Sequence, residues 1–443
     1  MKFFKKFLIL MFIFFTCLAQ NNSDNFFQDE AEFSVSSASV SNEKIKNQFL
    51  CLSKDKFVLS LCSLIQHDLN STDQLDVDLK KYNKSIETKA LDKYFKKGIS
   101  LFTFLKENID KEENINVVVK DTSSDIVLFE KDYTVDKKNF VFRSHEISSE
   151  IMNVLTGDKG PFLSSIAYCE MINPNQKIVK VSDYSCRNSK IIVPTKAISV
   201  APRWHTRVPI VFYSQFTRRN NRLMSTDLRT GKHKVIFSYD GLNMQPSFSK
   251  DGMRAVMCLS AGGNSEIYLY DKRVCKKVGK RVFKKLTNNK GNNISPCLLP
   301  NNNVVFCSDF QTGSPQIFLL NPKNKNVRRL TNGRGYCAAP AYCEKINSIV
   351  YTRMLNGAFQ LFSLDLNDLQ EKQLTFDNAD KREPTFSECG KYVIFSNSQR
   401  DSLRLYPPQI AILNLNSGRI RILTEGESPK SFPVWTHKTF FAI

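Results

Sequence analysis

Histidine is scarce in this chain, and the catalytic motifs that depend on it are missing. Five histidines occur in 443 residues, at positions 67, 145, 205, 233 and 437, and they form no cluster in the sequence. There is no His-Glu-x-x-His, no Gly-x-Ser-x-Gly, no phosphate-binding Gly-rich loop, and no Gly-x-Gly-x-x-Gly between a strand and a helix. These absences remove the legible signatures of zinc hydrolases, serine hydrolases, nucleotide triphosphatases and dinucleotide enzymes. Cys-x-x-Cys is missing too, and no cysteine stands at metal-ligand spacing from a histidine. The expectation is a protein that is not an enzyme and holds no cofactor and no metal.

Long apolar runs are equally rare. The opening segment, MKFFKKFLILMFIFFTCLAQ, has Lys2, Lys5 and Lys6 ahead of an apolar run from Phe7 to Phe15. That run is too short to span a bilayer. Cys17 and Ala19 place small residues at the −3 and −1 positions of a cut between Ala19 and Gln20. This is the pattern of a secretory signal peptide over residues 1–19. Phe14 and Thr16 disfavour lipoprotein processing at Cys17. No later segment is apolar enough to cross a membrane, so a soluble exported protein is expected.

What the chain has in excess is positive charge, a formal +20, and it is unevenly spread. Residues 20–157 hold 18 Lys/Arg against 23 Asp/Glu, whereas residues 158–443 hold 42 against 20. The change of sign supports a domain boundary near residue 157. The basic part suits an acidic protein face, lipid headgroups or an envelope polymer, or is a solvated lysine-rich surface. No nucleic-acid partner is expected. Of the twelve cysteines, eleven remain after cleavage, an odd number. Cys169, Cys258 and Cys307 end similar apolar runs and read as small core residues. Cys337 with Cys343, or Cys169 with Cys186, are candidate local disulfides in an oxidising compartment.

The basic part repeats itself. Pro202, Pro246, Pro296, Pro340, Pro384 and Pro433 open similar units, spaced 44, 50, 44, 44 and 49 residues apart. A period near 44 is that of a four-stranded propeller blade. Each unit has a short strand at the proline, as in PSFS and PTFS, then a strongly apolar strand such as RAVMCLS or NVVFCSD. An alternating strand follows, such as IYLYD or IFLLN, and then a basic strand that often ends in Leu-Thr: FKKLT, VRRLT, EKQLT, IRILT. Short β-rich runs separated by turn residues favour strands over helices. Residues 160–196 hold a second, third and fourth strand but no first, and SFPVWTHKTFFAI at the end holds a first strand with no room for more. Together they complete one blade, so the C-terminal strand is expected to close a six-bladed ring and remove an open sheet edge.

Residues 44–157 alternate helix and strand signals. KDKFVLSLCSLIQHDLNST places Phe57, Leu61 and Leu64 on one helical stripe, and DQLDVDL is extended. KSIETKALDKYFKKG reads as a helix, and GISLFTFL, NINVVVK and DIVLFEKDY read as strands. SHEISSEIMNVLTG is a further helix, with Ser144 as its N-cap and Gly157 past its end. The fold class is therefore mixed: a signal peptide (1–19), a flexible N-terminal segment (20–43), a small α/β domain (44–157) and a six-bladed β-propeller (158–443). Function should lie on the loops that cross from one blade to the next, just before each proline. These are Leu242, Asn243, Met244 and Gln245; Asn292, Asn293, Ile294 and Ser295; Tyr336; and Lys381 and Arg382.

Several segments resemble one family. SSEIMNVLTGDKGPFLSSIAYC (148–169), KVSDYSCRNSKIIV (180–193), IQHDLNSTDQLDV (65–77) and the repeated Pro-x-(Trp/Phe)-Ser-x-Asp-Gly are similar to the TolB family, the periplasmic component of the Tol-Pal system. The resemblance runs from about residue 45 to the end. The chain departs from the family where Asp-Gly is lost after Pro202, Pro296 and Pro340, and its propeller is more basic. The resemblance implies a monomeric, periplasmic, non-enzymatic adaptor that supports outer-membrane integrity and cell division. It implies that the propeller face holds a Pal-like peptidoglycan-associated lipoprotein, with Leu242, Gln245 and Ile294 at contact positions. Association with the outer membrane would then be peripheral, through Pal. It also implies that the mature N-terminal segment, with Gln20, Asn21, Asn22, Phe26 and Phe27, contacts a TolA-like inner-membrane protein. The alternatives are a propeller that binds anionic envelope polymer, and a propeller hydrolase or lyase.

Overall fold

The computed structural model describes residues 44–82, 98–107, 114–193, 197–218, 220–239, 241–333, 335–401 and 404–436. The signal peptide with its Ala19–Gln20 cut, the segment bearing Gln20, Asn21, Asn22, Phe26 and Phe27, nearly all of the helix expected over 84–98, and His437 lie outside those residues. No helix among the described residues is long and apolar enough to cross a membrane.

The N-terminal part is a five-stranded sheet with helices on one face. Its strands are β1 (Ile45–Leu52), β2 (Leu75–Lys81), β3 (Leu101–Glu107), β4 (Asn114–Asp121) and β5 (Ile126–Thr134), in the order β2-β1-β3-β4-β5. β1 runs parallel to both neighbours, so its connections must cross over, and helix α1 (Lys56–Asn70) supplies the crossover to β2. Strand alternation divides β1 between two apolar clusters. Phe49 and Cys51 face the helices, while Leu50 packs with Phe102 on the other side. Asp55 caps α1, accepting from Phe57 N at 2.6 Å and Val58 N at 3.3 Å. The buried stripe of α1 is Val58, Leu61, Cys62, Ile65 and Leu69, so Phe57 and Leu64 lie beside it and not at its centre.

The second helix, α2 (Phe140–Thr156), begins earlier than the sequence suggests. Asn139 occupies the N-cap position, and Ser144 sits inside the helix with its hydroxyl donating back to Val141 O at 2.8 Å. Serine bonds equally well to a backbone carbonyl one turn back, so it marks helix starts ambiguously. The other end follows expectation. Gly157 takes a left-handed φ of 72° and donates to Asn153 O at 2.9 Å.

Beyond α2 the chain forms a β-propeller. Four sheets are separate and four-stranded, each in antiparallel sequence order. The first contains β13 (Asn243–Phe248), β14 (Arg254–Gly262), β15 (Asn264–Asp271) and β16 (Phe283–Lys285), with a short helix α3 (Lys272–Val278) before β16. The second contains β17 (Asn293–Leu298), β18 (Val304–Ser308), β19 (Gln316–Asn321) and β20 (Asn326–Arg329). The third contains β21 (Cys337–Cys343), β22 (Ser348–Leu355), β23 (Ala358–Asp365) and β24 (Glu371–Gln373), and the fourth β25 (Asp380–Phe386), β26 (Tyr392–Ser398), β27 (Gln409–Asn414) and β28 (Ile420–Ile422).

The remaining propeller strands form one eight-stranded sheet, so pairing does not return six separate sheets. They are β6 (Ser165–Asn173), β7 (Gln176–Asp183), β8 (Ser189–Ile191), β9 (Ile198–Trp204), β10 (Ile210–Phe216), β11 (Asn221–Asp227), β12 (His233–Phe237) and β29 (Lys430–Thr436). Two four-stranded groups meet there through one parallel pair, Lys177 with Ile198. β29 pairs antiparallel with β6, with Ser431 opposite Cys169, Val434 opposite Ala167 and Trp435 opposite Ile166. The first strands touch in a circuit: β9, β13, β17, β21, β25, β29 and back to β9.

Each second strand is buried on both faces, which explains its unbroken apolar character. In β18, Val305 and Cys307 enter the cluster shared with the β21–β24 sheet, and Val304 and Phe306 enter the one shared with the β13–β16 sheet. The Leu-Thr signature also has a physical cause. Thr287, Thr331, Thr375 and Thr424 each accept from the backbone N of a third-strand residue, namely Ile267, Ile317, Leu361 and Ile410, at 2.9, 3.1, 2.9 and 2.9 Å. Each threonine also donates to the preceding Glu266, Gln316, Gln360 or Gln409 side chain. A buried hydroxyl thus continues the ladder where the fourth strand leaves the sheet.

Among the described residues all eleven cysteines are free thiols. Cys337 and Cys343 stand at opposite ends of β21, roughly 20 Å apart at the usual strand rise. Cys169 and Cys186 belong to different apolar clusters. Neither candidate disulfide is therefore formed.

Candidate partner-binding face and its support

The residue before every repeat proline has a positive φ. Ala201, Gln245, Ser295, Ala339, Glu383 and Phe432 lie at 53°, 53°, 50°, 52°, 56° and 54°. None is glycine, and each coincides with a register shift between the first and second strands of its unit. Such a conformation costs about 1–3 kcal/mol per residue and persists where the surroundings impose it. The bulges re-aim the innermost strands, so residues flanking the prolines face neighbouring first strands. Ser295 Oγ donates to Gln245 Oε1 at 3.1 Å, Leu298 N to Ser247 Oγ at 3.0 Å, Thr385 Oγ1 to Pro433 O at 3.3 Å, and Phe432 N to Glu383 Oε2 at 2.6 Å. Burial pushes the Glu383 carboxyl's pKa up and the Arg203 guanidinium's pKa down, the latter partly offset by the nearby Glu383 carboxyl. Nothing in the alternation of apolar and polar residues signals this inner ring of polar groups.

The crossing-loop residues separate into two sets. Leu242, Asn243, Asn293 and Lys381 are buried. Asn243 Nδ2 donates to Asn221 O at 3.0 Å and Tyr239 O at 2.8 Å, and Asn293 Nδ2 donates to Ser265 O at 3.2 Å and Glu266 Oε2 at 2.9 Å. Both asparagines tie their own loop to the preceding unit, and their amide groups are occupied there. Leu242 N donates to Ser260 Oγ at 2.6 Å, and its side chain is only 6% exposed. Lys381 Nζ is fully enclosed, donating to Ala379 O at 3.0 Å and pairing with Asp377, and burial lowers its pKa. These four members of the expected docking set have buried side chains, because short crossing loops satisfy their backbone groups with their own side chains.

The second set remains accessible. Asn292 is exposed, with its N–H on Asp309 Oδ1 at 2.7 Å. Met244, Gln245, Ile294, Ser295, Tyr336 and Arg382 are half-buried. Three residues that the repeat pattern did not single out lie against this set: Phe359 and Asp380 are buried beneath it and Arg400 is exposed. The Arg382 guanidinium lies 3.9 Å from the Phe359 ring centroid, and the Tyr336 ring meets Phe359 edge-on at 5.6 Å. Asp380 Oδ2 is 3.4 Å from both Arg382 and Arg400. An aromatic pair carrying an arginine is the composition of a protein-binding hot spot.

The α/β part is fixed to the propeller by a buried ionic network. Asp68 of α1 is 0% exposed; its Oδ2 is 2.7 Å from His145 Nδ1 and accepts from Ser148 Oγ at 2.9 Å, and its Oδ1 accepts from Tyr184 Oη at 2.7 Å. His145 Nε2 stands 3.7 Å from Asp183 Oδ2, an ion-pair distance too long for a hydrogen bond. Burial opposes a charge on His145, but the Asp183 and Asp68 carboxylates outweigh it and hold its pKa up at about 9. Around this network Asn414 Nδ2 donates to Thr72 O at 2.7 Å, and Arg419 pairs with Asp73 at 2.7 Å. A cleft of about 310 Å³ opens beside it, lined by His67, Asn70, Asp76, Arg419 and Arg421 among others. Among the described residues no cluster of His, Cys, Asp and Glu could hold a metal.

Comparison with known proteins agrees with this architecture. The family model described as the TolB beta propeller domain matches residues 152–439. The Tol-Pal system protein TolB of Francisella tularensis subsp. tularensis is 26% identical over 281 residues, covering 61% of this chain and 62% of its own length. That of Helicobacter pylori is 24% identical over 280 residues, covering 62% of this chain and 65% of its own. The chain thus spans just under two thirds of these relatives. The crystal structure of TolB from Acinetobacter baumannii superposes with a TM-score of 0.74 at 22% identity, covering 89% of this chain and 97% of that one. Kuenenia stuttgartiensis hydrazine synthase, at a TM-score of 0.52 and 12% identity, shares only the fold, over 63% of this chain and 47% of its own. With the family model spanning the propeller, and an α/β part ahead of it in a fold shared with the Acinetobacter protein, the chain belongs to the TolB family.

Proposed function

We propose that the protein is a non-enzymatic periplasmic adaptor of a Tol-Pal envelope system. It binds a Pal-like lipoprotein through the crossing-loop face of the propeller and a TolA-like protein through residues 20–43, and it supports outer-membrane integrity and cell division. In this reading residues 1–19 are a signal peptide, residues 44–157 an α/β domain and residues 158–443 a propeller of six blades. The blade count treats the eight-stranded sheet as two blades, supported by the circuit of six first strands and by the β29–β6 pairing. The observation that carries the reading is the family match over residues 152–439, to relatives that are Tol-Pal system proteins. The docking face rests on Asn292, Ile294, Tyr336 and Arg382, which stay accessible at its loops.

Co-purification tests it. The exported full chain should retain a Pal-like lipoprotein, and the double variant Asn292→Arg, Arg382→Gln, which keeps a hydrogen-bond donor beside Asp380, should lose it while melting close to the wild type. Undiminished retention by that variant would remove this face from the reading.

A further inference from the structure

The repeat spacing is irregular at one place, and the extra chain there has an unusual composition. Pro246 and Pro296 are 50 residues apart, against 44 for three of the other intervals. The surplus is spent on α3 and the turn leading into β16. Residues 272–285 contain eight Lys/Arg and no Asp/Glu. One side chain of α3 is buried against the blade: Cys275, its thiol accepting from Val282 N at 3.2 Å, while Lys272 N donates to Met253 O at 2.8 Å. Everything else on α3 points outward, including Val274 at 47% and Val278 at 53% exposure, four residues apart and therefore on one face. Arg273 pairs with Asp271 and Asp251, and Lys285 pairs with Glu266. Lys276, Lys277 and Lys280 have no acidic partner among the described residues.

The outer edge of the neighbouring blade extends this surface. Arg281 donates to Ile236 O, which brings β12 alongside. There Lys232 and Lys234 are exposed, together with Val235 at 48% and Tyr239 at 42%. The Tyr239 ring packs edge-on against Phe283 of β16 at 5.9 Å, joining the two blades. The result is a rim that combines a dense cation array with exposed valines and a tyrosine. Cations alone suit any polyanion, but apolar and tyrosine side chains among lysines suit the headgroup layer of a bilayer.

We propose that this rim, α3 with the outer edges of β12 and β16, rests on a bilayer bearing anionic headgroups. The residues are distinct from those of the crossing-loop face, so the inference does not depend on Pal binding. Vesicle co-sedimentation of the full mature chain tests it, using phosphatidylcholine vesicles with and without phosphatidylglycerol. Binding is expected only with phosphatidylglycerol, and it should fall as salt rises. The triple variant Lys276→Glu, Lys277→Glu, Lys280→Glu should bind roughly a hundred-fold more weakly or worse, given the worth of each cation at such a surface. Lys323→Glu, Lys345→Glu, Lys372→Glu makes the same charge change at exposed sites on other blades and should cost far less. Val274→Ser, Val278→Ser should weaken vesicle binding and leave binding to dextran sulfate unchanged. Three results would each overturn the proposal: no preference for phosphatidylglycerol, equal losses in the two triple variants, or vesicle binding indifferent to the valines. The last, with tight dextran sulfate binding, would assign the rim to a soluble polyanion.

Discussion

Alkaline pH should loosen the junction between the α/β part and the propeller, and His145 sets the range. Its pKa rises from an ordinary 6.5 to about 9 in the folded protein. A group whose folded pKa is raised contributes stability that is complete below the unfolded value and is lost as pH climbs through the folded one. The contribution is therefore whole below pH 6.5 and gone above about pH 9. At about 1.4 kcal/mol per pH unit, the loss across that window is roughly 3 kcal/mol. His145 is only 4% exposed, so solvent screening does not reduce it appreciably. Trp435 lies in the same apolar cluster as Ile147, Ile151 and Tyr184, so tryptophan fluorescence reports on this region. Urea unfolding followed by fluorescence should show the midpoint falling between pH 6.5 and 9. In His145→Gln the midpoint should start lower and remain flat. A wild-type midpoint that holds across the window, or a slope that persists in the variant, would refute the assignment.

Other consequences follow from the propeller. Thr331→Val strips a partner from the Ile317 N–H and the Gln316 side chain, both buried, and should cost about 1–3 kcal/mol in urea unfolding. Gly252 has φ 68°, and an added Cβ would lie 2.5 Å from the His205 ring, so Gly252→Ala should lower the melting temperature, whereas Gly231→Ala, with open space around it, should cost less. Truncation before Lys430 removes β29 and uncovers β6. Loss of Trp435, Val434 and Phe432 burial alone costs about 5 kcal/mol or more, and light scattering should detect aggregation through the open edge.

The sequence conveyed the strand content well because its signals were local. Proline, the apolar second strand and Leu-Thr each mark a fixed place in a blade, and Thr331 and Thr375 show why the last recurs. The same local signals left the candidate face only partly legible. Asn243, Asn293 and Lys381 occupy loop positions, where side chains are commonly exposed, yet they turn inward to satisfy their own loops. Phe359 and Asp380 lie outside the crossing loops and come to lie beneath Arg382 only when β23 and β25 come together. Left-handed residues before proline run against local preference, so Gln245 and Glu383 gave no warning in the sequence. The Asp68–His145–Asp183 network joins residues more than seventy positions apart at its first step, and no periodicity encodes that.

Calorimetric titration of the mature chain with a Pal-like lipoprotein tests the adaptor reading most directly. Saturable binding, abolished in the Asn292→Arg, Arg382→Gln variant and retained by a variant altered only in α3, is the predicted result. Binding that is absent in the wild type, or unchanged in the double variant, would contradict it.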